Sequence, residues 1–164
     1  MEQITIARGA IGPINQALSS LATKECAVKL AYSIARNISS LQSELEAIQK
    51  SYQAPQEMVD LEQTRMGLVK EYAELDDAGE MVIQNSQYLI RPDDRAEFDQ
   101  KIHEMQVANK DILEDWGEKQ KDIQAFLEEE VEVSVHKIDP AWMPEMMTGE
   151  IMLALLPLLI ENGG

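Results

Sequence analysis

Residues 98–126 read FDQKIHEMQVANKDILEDWGEKQKDIQAF. Phe98, Ile102, Met105, Asn109, Ile112, Trp116, Lys119, Ile123 and Phe126 recur in alternating steps of four and three. That rhythm averages about 3.5 residues, the spacing that keeps one seam facing a partner helix. A second run, Ile34, Ile38, Leu41, Leu45, Ile48 and Tyr52, keeps the same rhythm. Between them lies Asp76-Asp77-Ala78-Gly79-Glu80, a turn-rich break. Two seams separated by a turn predict a long antiparallel helical hairpin, with arms over 24–75 and 94–129.

Details modify the arms. Thr23 is placed to cap a helix from about Lys24 to Gln53. Pro55 disfavours helical geometry in the residue before it, so a restart is expected near Gln53–Ala54. Beyond it, Met58, Leu61, Leu68, Tyr72 and Leu75 resume the spacing in a shifted phase. Asp93 or Asp94 is placed to cap the second arm. Gly117 would weaken that arm by about 1 kcal/mol relative to Ala and permit a bend beside Trp116. Asn109 and Lys119 are polar members of the seam. Such residues specify register or partner at some cost in stability, or else the seam faces solvent there.

The rest of the chain reads as a small base of 1–23, 80–91 and 130–164, within a single domain of 1–164. Ile4-Thr5-Ile6 alternates as a strand does, and Val131, Val133 and Val135 alternate with Glu132, Ser134 and His136. His136 is thereby expected to face solvent. Met81–Ile83 and Tyr88–Ile90 flank Asn85-Ser86 as a β-hairpin. These strands could meet in one small sheet. Thr148 is placed to cap a last helix from Gly149 to Asn162. The expected fold class is mainly α, in an α+β arrangement.

Charge is the extreme property of the composition. Fourteen basic and 30 acidic residues give a net charge of −16. Such a surface repels nucleic acid and acidic membranes, so neither is an expected partner. The first forty residues run the other way: Arg8, Lys24, Lys29 and Arg36 outnumber Glu2 and Glu25. A basic end and an acidic end could pair head to tail, within a monomer or between copies. Cys26 is the single cysteine, so no internal disulfide forms, and a structural thiol is expected. Glu2 and Arg8 flank no apolar core, which argues against a secretory leader. The apolar run Ile151–Ile160 falls short of the roughly 20 residues a bilayer requires, so a soluble protein is expected.

Signatures of chemistry are weak. Asp99 and His103 share a helix face, but a metal site needs three or four ligands, so no metal is expected. Gly9-Ala10-Ile11-Gly12-Pro13 precedes a helix yet lacks the ending of a phosphate loop, and reads as a plain turn. No nucleophile motif occurs. The expectation is a protein that is not an enzyme and carries no cofactor.

Two segments are candidates for binding a protein partner. Ile151, Leu155 and Leu159 lie in a stretch apolar on all sides, which must be buried, either as core or in another subunit. Met146 and Met147 precede it, and Met suits adaptable contacts. Glu128, Glu129, Glu130 and Glu132 form the densest acidic cluster. It reads as a solvated helix end or as a decoy for a basic groove.

Several segments, taken in order, resemble a family of short proteins of tailed bacteriophages and prophages, filed as a domain of unknown function. They are Ile4-Thr5-Ile6, Ala27 to Arg36, Leu41 to Glu46, Val69-Lys70-Glu71-Tyr72 before Asp76–Glu80, Ala96 to Ile102, and Glu130 to Ile138. Gln53–Arg65 and Glu104–Glu118 look longer than in that family. The resemblance implies a phage or prophage origin and a non-enzymatic accessory role, in the host cytoplasm or on the virion. The reading that follows is an accessory protein acting by protein–protein interaction in virion assembly and self-associating as a homo-oligomer. The alternatives are an acidic inhibitor of a host nucleic-acid-binding or anti-phage defence protein, or a sponge for a signalling nucleotide.

Overall fold

Strand β1 (Glu2–Ala7) opens the chain. A 3₁₀ turn at Arg8–Ala10 leads from it into α1 (Ile11–Ala22). The computed structural model describes residues 1–160. Helices α2 (Val28–Ser51) and α3 (Gln56–Tyr72) follow, then β2 (Ile83–Gln84) and β3 (Gln87–Tyr88). Next come α4 (Arg95–Ala108), α5 (Lys110–Glu128), β4 (Glu130–Val135) and the short α6 (Gly149–Leu155). The chain is mainly α with a small β component, as its periodicity requires. No helix among the described residues is long and apolar enough to cross a membrane.

The chain divides into two compact units, Met1–Gln53 with Asp122–Gly164, and Ala54–Lys121. The first boundary falls beside Pro55. The expected arms are therefore shared between units, and 80–91 belongs with the second unit rather than with 130–164. The strands also form two sheets rather than one.

The first unit holds the continuous core. Its sheet pairs β1 antiparallel to β4, from Glu2 opposite Val135 to Ala7 opposite Glu130. Alternation turns Val133 and Val135 inward, onto Ile11, Ile14, Leu18 and Leu21 of α1 and Leu30, Ile34 and Leu41 of α2. The last arm residue of that run, Tyr52, is exposed. Gly9 permits a close approach: a Cβ there would lie 3.2 Å from the Leu127 carbonyl oxygen. Thr23 does not cap α2. Its hydroxyl donates to the Ser20 carbonyl at 2.9 Å, ending α1, and α2 starts at Val28 without a side-chain cap. Cys26 thus lies between helices, half-buried against the core. His136 is half-buried rather than solvent-facing: its ring meets that of Tyr32 on α2 edge-on, with centroids 5.4 Å apart, and its backbone pairs with Asn37 where β4 ends.

Thr148 does cap α6, accepting from the Ile151 amide at 3.4 Å. The helix is shorter than expected: Pro157 sits in a 3₁₀ turn over Leu156–Leu158, and Leu159 bridges in parallel to Ile138. The expected end at Asn162 lies outside the described residues.

The second unit is an antiparallel helical hairpin. Tyr72 near the end of α3 meets Phe98 near the start of α4, with ring centroids 5.9 Å apart. Pro55 and Glu57 line a groove with Trp116 of α5. The expected continuous helix 94–129 breaks at Asn109. Its side-chain amide donates to the Met105 carbonyl at 2.8 Å, which its own backbone amide also approaches at 3.2 Å. That competition leaves Asn109 outside helical geometry. Asp94 does not cap α4 with its side chain; it pairs with Arg91 instead. The helix continues past Gly117 as part of α5. At the closed end, Asp76 Oδ1 accepts from the Ala78 and Glu80 amides, and Gly79 takes φ 82°. Asn85 and Ser86 both have positive φ, the signature of a tight primed turn between β2 and β3.

Candidate interaction surfaces

One arm of α3, one broken arm of α4 and α5, and a two-stranded ribbon cannot enclose a core, and the second unit shows the consequence. Among its residues the buried apolar ones are Leu61, Val69, Tyr72, Ala73 and Ile90. Phe98, Ile102, Met105, Ile112 and Trp116 are each half-buried. So are Asn109 and Lys119, which therefore belong to the seam. Trp116 borders two grooves. One, about 340 Å³, is lined by Pro55, Glu57, Ile112, Asp115 and Lys119. The other, about 430 Å³, is lined by Ala54, Met58, Val59, Glu62 and Gln63. The Lys119 ammonium lies 5.4 Å from the centre of the Trp116 ring.

The closed end is braced by charge. The Tyr72 hydroxyl donates to Glu97 at 2.7 Å, and Lys101 lies 3.4 Å from Glu97 and 3.5 Å from Glu71. The hydrogen bond from Tyr72, followed by that from Lys101, holds the Glu97 carboxyl below its ordinary range. For Tyr72, Lys101 favours ionisation, but the bond to Glu97, burial and the nearby carboxylates together prevail and raise its pKa. These groups satisfy one another, which is the chemistry of a brace.

The C-terminal candidates separate. Leu155 is 0% exposed and packs in the core cluster of the first unit, so it is core rather than surface. Ile151, Leu159 and Met147 are half-buried against the same core. Met146 is open at 85%, and Leu153, Leu156 and Ile160 are also exposed. The reason is geometric: an all-round apolar helix of seven residues still has an outward side once one face is docked.

The acidic cluster separates too. Glu129 is an internal tie, paired with Arg8, whose guanidinium also donates to Glu44 at 3.0 Å and to the Phe126 carbonyl at 3.1 Å. Arg8 is 14% exposed and stacks 3.9 Å from the Phe126 ring centre. The bond to Glu129 raises its pKa despite burial, with Glu44 adding to the effect. Glu128 accepts from Gln124, while Glu130 and Glu132 are exposed on β4. A cation at the end of α5 offsets the clash between acidic residues and the helix dipole.

One surface escaped the sequence reading. On the outer side of α2, Val28, Ala31, Tyr32 and Ala35 recur at i, i+3, i+4 and i+7 and are all exposed. Val28 is open at 84% and Tyr32 at 57%. The signal was present, because VKLAYSIA carries two apolar stripes and the core accepts only Leu30 and Ile34.

Among the described residues no group of three or more His, Cys, Asp or Glu is gathered as a metal would need. Asp99 pairs with Arg95 rather than with His103. No protein-family model, no curated protein and no solved structure matches this chain.

Proposed function

We propose that this protein acts by protein–protein interaction rather than catalysis, as a self-associating accessory component encoded by a phage, with virion assembly as its setting. The contact arm is the helical hairpin of residues 54–121. The observation that carries this reading is the half-buried seam, Phe98 to Trp116, on a helix pair too thin to cover it. Apolar side chains left between water and a single partner helix gain free energy when a further helix covers them, at about 25 cal/mol per Å². The phage setting rests on the resemblance of the segments named above.

A photo-crosslinking side chain at Val59, which is exposed beside Trp116, tests the reading in producing cells. A discrete crosslinked protein, either this chain or another, is the expected result. Crosslinks only from a matched probe at Glu130 would replace it with the acidic-decoy reading.

A further inference from the structure

Two exposed surfaces of this chain are complementary in charge. The first is the outer stripe of α2, Val28, Ala31, Tyr32 and Ala35, which has the spacing of a helix laid into a groove. Its cations are not neutralised. Arg36 meets the Met1 sulfur at 3.3 Å, and Lys29 lies 5.6 Å from the centre of the Trp142 ring. Neither makes an ion pair with a carboxylate among the described residues.

The second is the groove of about 340 Å³ with Pro55, Ile112 and Trp116 along it. Glu57, Asp115 and Lys119 also line it. The Lys119 ammonium is held over the Trp116 ring, while Glu57 and Asp115 pair with no cation among the described residues. Apolar knobs flanked by two cations without a carboxylate partner thus complement an apolar groove that carries two carboxylates without a cation partner, beside a Lys119 held over Trp116. Both occur on one chain, in which acidic residues otherwise prevail.

We propose that the α2 stripe of one copy docks in the Trp116 groove of a second copy, with Arg36 and Lys29 set against Glu57 and Asp115. This rests on the interaction reading above and names the partner as the chain itself. The stripe and the groove are different surfaces, so two copies can exchange them reciprocally in a two-fold dimer, or the contact can propagate from copy to copy as a ring or filament.

Sedimentation velocity on the full chain tests it, with two charge-reversed variants. Lys29→Glu with Arg36→Glu makes the stripe acidic. Glu57→Lys with Asp115→Lys makes the groove basic. Each variant alone is expected to run as a monomer of 18.5 kDa at concentrations where the unaltered chain associates. An equimolar mixture is expected to associate again, because each reversed surface now fits the other. Added salt should weaken association of the unaltered chain. If a reversed variant loses its helical circular dichroism, Tyr32→Ser replaces the stripe variant and should weaken association about tenfold or more.

A stripe variant that associates like the unaltered chain would point to groove-on-groove pairing and overturn the proposal. So would an unaltered chain that stays monomeric at every concentration. If that monomer still crosslinks a different protein from Val59, the interaction reading survives and the stripe-in-groove contact alone falls.

Discussion

Asn37 pairs both ends of its side-chain amide with the backbone of His136. Its Nδ2 donates to the His136 carbonyl at 2.9 Å, and its Oδ1 accepts from the His136 amide at 2.7 Å. Asn37 is wholly buried on α2, and His136 directly follows β4. The amide thus acts as a substitute strand, satisfying backbone groups where the sheet stops. Asn37→Ala would leave a donor and an acceptor unpaired and open a small void. We expect a loss of about 2–4 kcal/mol in urea unfolding. Asn37→Asp should also destabilise, since a carboxylate can accept from the amide but repels the carbonyl.

Arg8 ties β1 to α2 and to the end of α5 through Glu44, Phe126 and Glu129. Arg8→Ala should cost about 1–3 kcal/mol, since it removes the bonds of a largely buried guanidinium to Glu44 and the Phe126 carbonyl and takes the cation from the helix terminus. Arg8→Lys should recover less than half of that, because an ammonium cannot reproduce the fork. Thermal melts of the three proteins at one pH give the comparison.

Glu97 supplies a pH dependence whose sign is fixed. Tyr72 and then Lys101 hold its carboxyl below the ordinary 4.5. The folded state therefore binds this proton less readily than the unfolded chain does. The stabilisation is complete above the ordinary carboxyl range and is lost as pH falls through the lowered value. Melting temperatures of the unaltered chain and Glu97→Gln should differ most near pH 7 and converge toward pH 3. A constant difference would remove Glu97 from the brace.

Ser86 has φ 63°, a backbone region where a side chain is strained. Ser86→Gly keeps the primed turn and relieves that strain. A gain of about 0.5–1 kcal/mol is expected, smaller than the strain because glycine also loosens the unfolded chain. Chemical denaturation monitored across residues 54–121 by hydrogen exchange would show it.

Much of this architecture is written in short-range patterns. The step of four and three from Phe98 marks which residues turn inward, and each is half-buried or buried in the structure. Pro55, the alternating valines and Asn85-Ser86 mark their restart, strand and turn in the same way. The missed features turn on which of several partners a side chain takes, near or distant in sequence. Asn109 breaks a helix by choosing one carbonyl, and Thr23 turns back to end α1 rather than forward to start α2. Glu129 looked free until Arg8, over a hundred residues away, was placed beside it. Leu155 and Met146 looked alike in a sequence of apolar residues, and only packing separates the buried one from the open one. The outer stripe of α2 was hidden because periodicity identifies apolar faces without saying which one the core takes.

The central claim is that the helical hairpin of residues 54–121 is the contact arm. Hydrogen–deuterium exchange of the full chain, free and in its associated state, tests it most directly. Amides of α3 and of α5 around Ile112 and Trp116 should slow several-fold on association, with those of β4 unchanged. Slowing confined to β4 and α6, with α3 and α5 unaffected, would contradict the account.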